Sequence, residues 1–499
     1  MSDLSPNRTL IVDLPGPDLT PDQGRFLRQH GFGGVCLFAR NITAPERTVR
    51  LIRDLRDALG HDALVATDQE GGAVLRRLDV PLPPTPQALG VIGSEAAAHE
   101  AGAVAARGLI ELGINWNFAP SLDVNSNPRN PVIGERSFSA DPAEVARLGV
   151  AWALGSEAAG VMASVKHFPG HGDTAQDSHL TLPTVNKPRA ELEATEWLPF
   201  RAAVQAGVGS VMTAHILYPA LDPARPATLS PAALTGLLRQ DWGYDGVVVT
   251  DATDMRAIAD HYPRGSAAPA ALAAGADAVL SCGHGSLALH AQNAAALAEA
   301  LAAGTLSAER LAEAQARLAR AALRFSGMPR PYPPAQHGAD QQAVQDWAAR
   351  SLRWQGTPPA LDPAGPVLLV APESAALGGP YGDFLGGAAL AASLRGMFPH
   401  LQVALHGGHD SGAAEALLAQ FPGTPVLLAT TGRWGVSAAE ARLAAGLRQS
   451  RRPALHLALW SPETVEALGL PAIVTHGFRP TNLRALGAAL ATLRLHAPH

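Results

Sequence analysis

Lys166 and Lys187 are the only lysines in a 499-residue chain that holds 38 lysines and arginines in all. Lys166 opens the stretch Lys166-His167-Phe168-Pro169-Gly170-His171-Gly172-Asp173-Thr174-Ala175-Gln176-Asp177-Ser178-His179. A lysine is a compact ammonium on a flexible stem and arginine a planar fork, so a position that stays lysine suits a point donor aimed at one hydroxyl. Three histidines and two aspartates follow it within thirteen residues, beside glycines. Titratable groups at that density read as a loop built around a ligand. Asp177 and His179 stand two apart, a separation at which the carboxylate holds one imidazole nitrogen while the other faces a substrate, making an oriented general acid/base. Asp251 ends the run Gly246-Val247-Val248-Val249-Thr250-Asp251, so a strand would present one carboxylate rigidly, as a nucleophile needs. Asp254 is the rival nucleophile, with capping of the next helix as its plainer role.

Asp68, within Thr67-Asp68-Gln69-Glu70-Gly71-Gly72, and Arg76 add an acceptor and a fork donor suited to neighbouring hydroxyls. Glu70 reads as structural, because the glycines after it turn the chain off the strand axis. His167 is expected to touch the ligand, and His171 to be a satisfied loop histidine. Asp123 and His215 are open between meeting a ligand and bracing neighbours, and Asp173 reads as a loop cap or turn.

The elements that must position these groups are legible as apolar runs at residues 9–14, 34–38, 63–68, 114–124, 161–167, 210–215, 246–251 and 276–282, each a buried parallel strand. Helical patterns rich in Ala, Leu, Arg and Glu lie between them, as at 44–59, 94–112, 141–159 and 231–240. Strand and helix alternating eight times predicts a (β/α)8 barrel, with an open doubly wound sheet as the competitor. Asp68, Asp123, Lys166, His167, His215 and Asp251 fall at the carboxyl ends of the runs, which meet at one mouth in a barrel. A proline-rich segment with a short helix, residues 329–365, then separates the barrel, 1–328, from a smaller C-terminal α/β sandwich domain, 366–499, with a mainly parallel sheet. Five further apolar runs, at 367–370, 402–405, 426–430, 455–459 and 473–476, supply that sheet.

Hydrophobic content of 47% is ample for two cores, and a formal charge of −6 with no basic run argues against nucleic acid and anionic membrane surfaces as partners. The N-terminus lacks a basic start followed by an apolar run, which leads to the expectation of a cytoplasmic protein. Cys36 and Cys282 each lie in a short apolar run and read as buried reduced thiols. No Gly-x-Gly-x-x-Gly or Walker sequence supports a nucleotide site. No cofactor or metal is expected, and nothing in the sequence indicates the oligomeric state.

Read in order, the motifs Asp68-Gln69-Glu70-Gly71-Gly72-x-Val74-x-Arg76, Asn117-Phe118-Ala119-Pro120-x-Leu122-Asp123-Val124, Asn127-Pro128, Ile133-Gly134-x-Arg136-Ser137-Phe138, the lysine-to-histidine block, Met212-Thr213-Ala214-His215 and Thr250-Asp251-Ala252-x-Asp254-Met255 resemble the β-N-acetylhexosaminidases of glycoside hydrolase family three. The resemblance spans roughly residues 30–285. It implies a (β/α)8 barrel and retaining hydrolysis of terminal β-linked N-acetylglucosamine. Its nucleophile falls on Asp251, its acid/base on His179 with Asp177 as partner, and its sugar-binding positions on Asp68, Arg76, Arg136, Lys166 and His167. The relatives most like this chain act on muropeptides in peptidoglycan recycling, so a small carbohydrate is the implied partner, with chitin oligosaccharides as the other substrate class. A family-three phosphorylase using phosphate is the nearest rival. More distant is a metal-dependent amidohydrolase built on His167, His171, His179, His215 and Asp251, against which no His-x-His pair follows the first strand.

Overall fold

In the computed structural model, which describes residues 4–60, 62–178, 181–263, 265–362, 364–374, 386–432 and 435–493, the eight apolar runs become eight parallel strands. They are β1 Leu10–Asp13, β2 Gly34–Cys36, β3 Leu64–Thr67, β4 Trp116–Asn117, β5 Met162–Phe168, β6 Ser210–Thr213, β7 Val247–Val249 and β8 Val279–Ser281. Pairing runs β8-β1-β2-β3-β4-β5-β6-β7, and a parallel bridge between Val249 and Ala278 joins the two ends. The sheet therefore closes into the barrel that the alternation predicts. Helices Pro21–His30, Pro45–Leu59, Glu95–Ile110, Pro142–Ala158, Trp197–Gln205 and Ala267–Ala274 lie between successive strands. Their starts are written locally. Pro21 and Pro142 sit in the first turn, where a missing N–H goes unnoticed, while the Thr20 and Asp141 side chains accept from the Gln23 and Ala143 amides.

Leu64 and Ala66 of β3 and Val247 and Val249 of β7 point inward at a spacing of two, the period that puts side chains on one face of a strand. They fill the interior with Ile11, Trp116, Met162, Met212 and Leu280, each such burial contributing roughly 1.5–3 kcal/mol before entropy is charged. Cys36 and Cys282 are buried free thiols in the same cluster.

The run 114–124 yields a strand proper of only two residues. Pro120 has no N–H to give the β5 side of the ladder, and on the β3 side asparagine side chains add to the pairing. Asn115 Oδ1 accepts from the Val65 amide at 2.8 Å, and Asn117 exchanges two bonds with the Gln69 backbone at 2.9 and 3.1 Å. The chain still tracks β5 beyond that point, with Leu122 N–H donating to Lys166 O at 2.6 Å. Asp123 is thus carried to the mouth without a regular strand beneath it.

Two compact units divide the chain, one of Met1–Pro86 and Gly93–Asp340, the other of Gln87–Ile92 and Gln341–His499. The second unit holds a six-stranded sheet in the order Arg353–Gln355, Ala472–Val474, Ala454–Ala458, Val426–Thr430, Val367–Pro372, Leu401–His406. All pairs are parallel except the first. Helix Pro334–Arg350, 17 residues long, and the antiparallel edge strand Arg353–Gln355 both fall within 329–365, the stretch whose prolines suggest a linker. No helix among the described residues is long and apolar enough to cross a membrane.

Candidate active site

All eight strands are parallel, so their carboxyl ends open on one face, and the polar residues there form a connected network. Lys166 lies at the end of β5 with its side chain only 3% exposed. Its Nζ is 2.9 Å from Asp68 Oδ1 and 2.6 Å from Glu70 Oε1. Arg76 Nη2 meets the other Asp68 oxygen at 3.3 Å. Arg136 grips Glu70 as a fork, with Nε to Oε2 at 2.8 Å and Nη2 to Oε1 at 2.7 Å. The same Nη2 lies 3.4 Å from His167 Nε2. His167 Nδ1 sits 2.7 Å from Asp123 Oδ2, and because a carboxylate only accepts, Nδ1 carries a proton. The five predicted sugar-binding residues are thereby brought together, and Glu70 is the buried hub that joins Lys166 to Arg136.

Local sequence explains that hub. Gly71 and Gly72 adopt φ of +117° and +58°, and a Cβ on Gly71 would stand 2.3 Å from Pro84 O. Only glycine makes this turn, which returns the chain so that Glu70 N–H bonds Val74 O at 2.9 Å. Gln69 holds the far side, its Oε1 accepting from the Arg76 and Arg77 amides at 2.8 and 3.1 Å.

The charges are mutually compensating. Burial works to raise the Glu70 carboxyl, yet Arg136 and Lys166 hold it far below the usual carboxylate range. Asp68 is lowered in the same way, Lys166 and Arg76 outweighing burial. Lys166 is pulled down by burial but raised in the balance by Asp68 and Glu70. Asp123 is held at about 2, where His167 overcomes its burial. Asp68, Glu70, Asp123 and Lys166 therefore stay charged at neutral pH, part of a preformed cradle of donors and acceptors for a hydroxyl-rich ligand. Lys166→Arg is expected to raise KM and lower kcat/KM about 100-fold, because a planar fork cannot place one nitrogen between two buried carboxylates. Steady-state kinetics would check this, and full activity would mean that the point charge is dispensable.

Asn130 shapes the loop after β5. Its Nδ2 donates to His171 O at 2.7 Å and Gly172 O at 3.0 Å, while Oδ1 accepts from the Val132 and Ile133 amides at 2.8 Å each. A side chain on Gly172 would place its Cβ 1.6 Å from Val124 O. Sequence reasoning passes over Asn130, although its place between Pro128 and Pro131 marks a turn that needs a side-chain brace. Both His171 nitrogens have hydroxyl partners, Thr174 at 2.8 Å and Ser178 at 3.0 Å. Burial, and then the charge of His167, lowers its pKa to about 4. His171 is the satisfied loop histidine. Asp173 Oδ1 lies 3.4 Å from Lys187 Nζ and 3.5 Å from Ser126 Oγ, bracing the loop. Asp177 is half-buried farther along it, its backbone oxygen accepting from Thr181 N–H at 3.1 Å. His179 lies outside the described residues.

Asp251 follows β7 at the same mouth, its Oδ1 accepting from the Ala252 amide at 2.7 Å. His215, buried after β6, has Nε2 2.9 Å from Ala252 O and Nδ1 2.8 Å from Thr228 Oγ1. A carbonyl only accepts, so Nε2 donates, and His215 clamps the peptide next to Asp251. Asp254 is exposed as a residue, yet its carboxyl is raised to about 6, first by desolvation and then by the charges of Asp13 and Asp251. His167, His171 and His215 each have both ring nitrogens engaged by protein groups, and among the described residues no three His, Cys, Asp or Glu side chains group as metal ligands.

The family model described as the glycosyl hydrolase family 3 N-terminal domain matches residues 13–321. The chain belongs to glycosyl hydrolase family 3. It is similar to the β-hexosaminidase of Methylococcus capsulatus, at 40% identity over 276 residues, covering 54% of this chain and 82% of that one. It is similar to β-hexosaminidase A of Pseudoalteromonas piscicida at 39% identity, covering 60% of this chain; it spans about half of that protein, 55%. A solved structure, the family 3 β-N-acetylglucosaminidase of Paenibacillus sp. str. FPU-7, superposes with a TM-score of 0.90 at 32% identity, covering 99% of this chain and 97% of that one.

Proposed function

We propose that this family-3 chain is a retaining exo-β-N-acetylglucosaminidase that removes terminal β-linked N-acetylglucosamine by double displacement. The observation that carries this reading is the charged cradle of Asp68, Glu70, Lys166 and Arg136 at one barrel mouth, with Asp251 presented at the end of β7 on the same face. The relatives named as β-hexosaminidases and the β-N-acetylglucosaminidase that aligns over almost the whole chain support the substrate class. Asp68, Arg76, Arg136, Lys166 and His167 would hold the sugar. Asp251 would attack the anomeric carbon while His179, oriented by Asp177, protonates the departing oxygen. His179 would then take a proton from water, whose attack releases the sugar with its β configuration. A histidine suits that exchange because its ordinary pKa of about 6.5 lies near neutrality without help from burial.

The resemblance carries the reading to muropeptides as natural substrates, and relative kcat/KM on muropeptides and chitin oligosaccharides decides between the two classes. Release of nitrophenol from the aryl β-N-acetylglucosaminide tests the reaction itself. Turnover is expected to be unchanged by inorganic phosphate and to give free sugar. Acceleration by phosphate, with sugar 1-phosphate as product, would make the enzyme a phosphorylase instead.

A further inference from the structure

Lys187, the second of the two lysines, ties the loop that carries Asp177 back onto the barrel. Its Nζ lies 2.8 Å from Glu196 Oε1, 3.4 Å from Asp173 Oδ1 and 3.6 Å from Glu191 Oε1. Asp173 stands on the outgoing stem of the loop, just before the stretch with Asp177 and His179, and Lys187 stands on the returning stem. One ammonium therefore joins both stems to the same carboxylate. Glu196 is fully buried and also accepts from Ser126 Oγ at 3.2 Å. Its position is tight, because a Cβ on Gly170 would stand 2.7 Å from Glu196 Cβ. Tyr218 donates its hydroxyl to Gly170 O from the other side. The returning stem is fixed a second time, through Val185 N–H to Leu217 O at 3.0 Å and Leu217 N–H to Pro183 O at 2.9 Å. None of these groups belongs to the cradle around Lys166.

We infer that Asp173, Lys187 and Glu196 form a clasp that positions the acid/base loop, with Lys187 as a positioning residue for proton transfer and not for sugar binding. The inference rests on the assignment of Asp177 and His179 as the acid/base pair. A clasp of this kind fixes where the loop leaves and re-enters the barrel, and placement errors of about 1 Å cost up to about 100-fold in a positioned reaction. An ion pair there does more than a surface pair would, because Glu196 has no solvent to turn to once Lys187 is lost.

The test uses the full chain, with kcat and KM measured on an alkyl and a nitrophenyl β-N-acetylglucosaminide and the inhibition constant measured for N-acetylglucosamine. Lys187→Met is expected to lose about tenfold or more in kcat/KM on the alkyl substrate and less than about threefold on the nitrophenyl one, a share of the 10²–10⁴-fold that acid/base catalysis contributes. Sugar inhibition should stay within about twofold, and Lys187→Arg should restore part of the loss. Asp173→Asn removes the charge of the outgoing-stem arm at a half-buried position and carries the test if Lys187→Met fails to fold. Equal losses on both substrates, or wild-type kinetics in both variants, would overturn the clasp. Asp177→Asn separates the two levels. If it shows the leaving-group dependence and the Lys187 and Asp173 variants do not, the clasp fails and the acid/base assignment stands. Absence of that dependence in Asp177→Asn overturns the assignment and the clasp with it.

Discussion

Asp251→Asn is expected to lower kcat/KM on the order of 10⁴–10⁶-fold, the scale on which removal of a covalent nucleophile acts, while Asp254→Asn stays within about tenfold. The two carboxylates are three residues apart, and their surroundings rank them. Asp251 is held at a strand end by the Ala252 amide at 2.7 Å, and His215 holds the next peptide through Ala252 O at 2.9 Å. Attack on an anomeric carbon needs that fixed line of approach, because the reacting atoms must already be close to contact. Asp254 sits past the turn on an exposed residue, with no strand end to fix its line of approach. Kinetics of the two variants would check the ranking, and the reverse order would move the nucleophile to Asp254.

His179→Ala is expected to cost about 10²–10⁴-fold in kcat/KM on substrates with poor leaving groups and far less on nitrophenyl glycosides. Because kcat/KM reports the first displacement, the loss there measures how much the departing oxygen needs a proton. Nitrophenolate leaves without one. The second displacement still needs a base to activate water, so kcat should fall on the aryl substrate even where kcat/KM does not. Azide, a nucleophile that needs no base, should restore kcat by capturing the glycosyl intermediate. Equal losses on both substrates would show that His179 supplies something other than a proton.

The barrel was legible because nearly every strand is a continuous apolar run, and five of the eight runs end in residues with chemistry, Asp68, Asp123, Lys166 with His167, His215 and Asp251. The clearest exception is 114–124, where the regular strand is two residues long and the Asn115 and Asn117 side chains add bonds to the β3 side. Such side-chain bonds leave no periodic trace. Asp68, Lys166 and His167 were legible as polar groups at strand ends, and the structure gathers them with Arg76 at one mouth. Glu70 reads as structural and does brace the cradle, but sequence alone gave no sign that its carboxylate joins Lys166 to Arg136. Asn130 and the Lys187–Glu196 pair are contacts between segments distant in the chain or across a loop, and no local pattern encodes them. Edge strand Arg353–Gln355 was hidden for a different reason. It is short, exposed and antiparallel, so it has neither the apolar run nor the spacing that marks the other strands.

The central claim is a covalent glycosyl-enzyme on Asp251. A fluorinated N-acetylglucosaminyl substrate that forms this intermediate quickly and hydrolyses it slowly, followed by intact mass and peptide mapping, tests it directly. One added sugar per chain, mapped to Asp251 and absent from Asp251→Asn, is the predicted result. An adduct on another residue, or none while the enzyme turns over with inversion at the anomeric carbon, would contradict it.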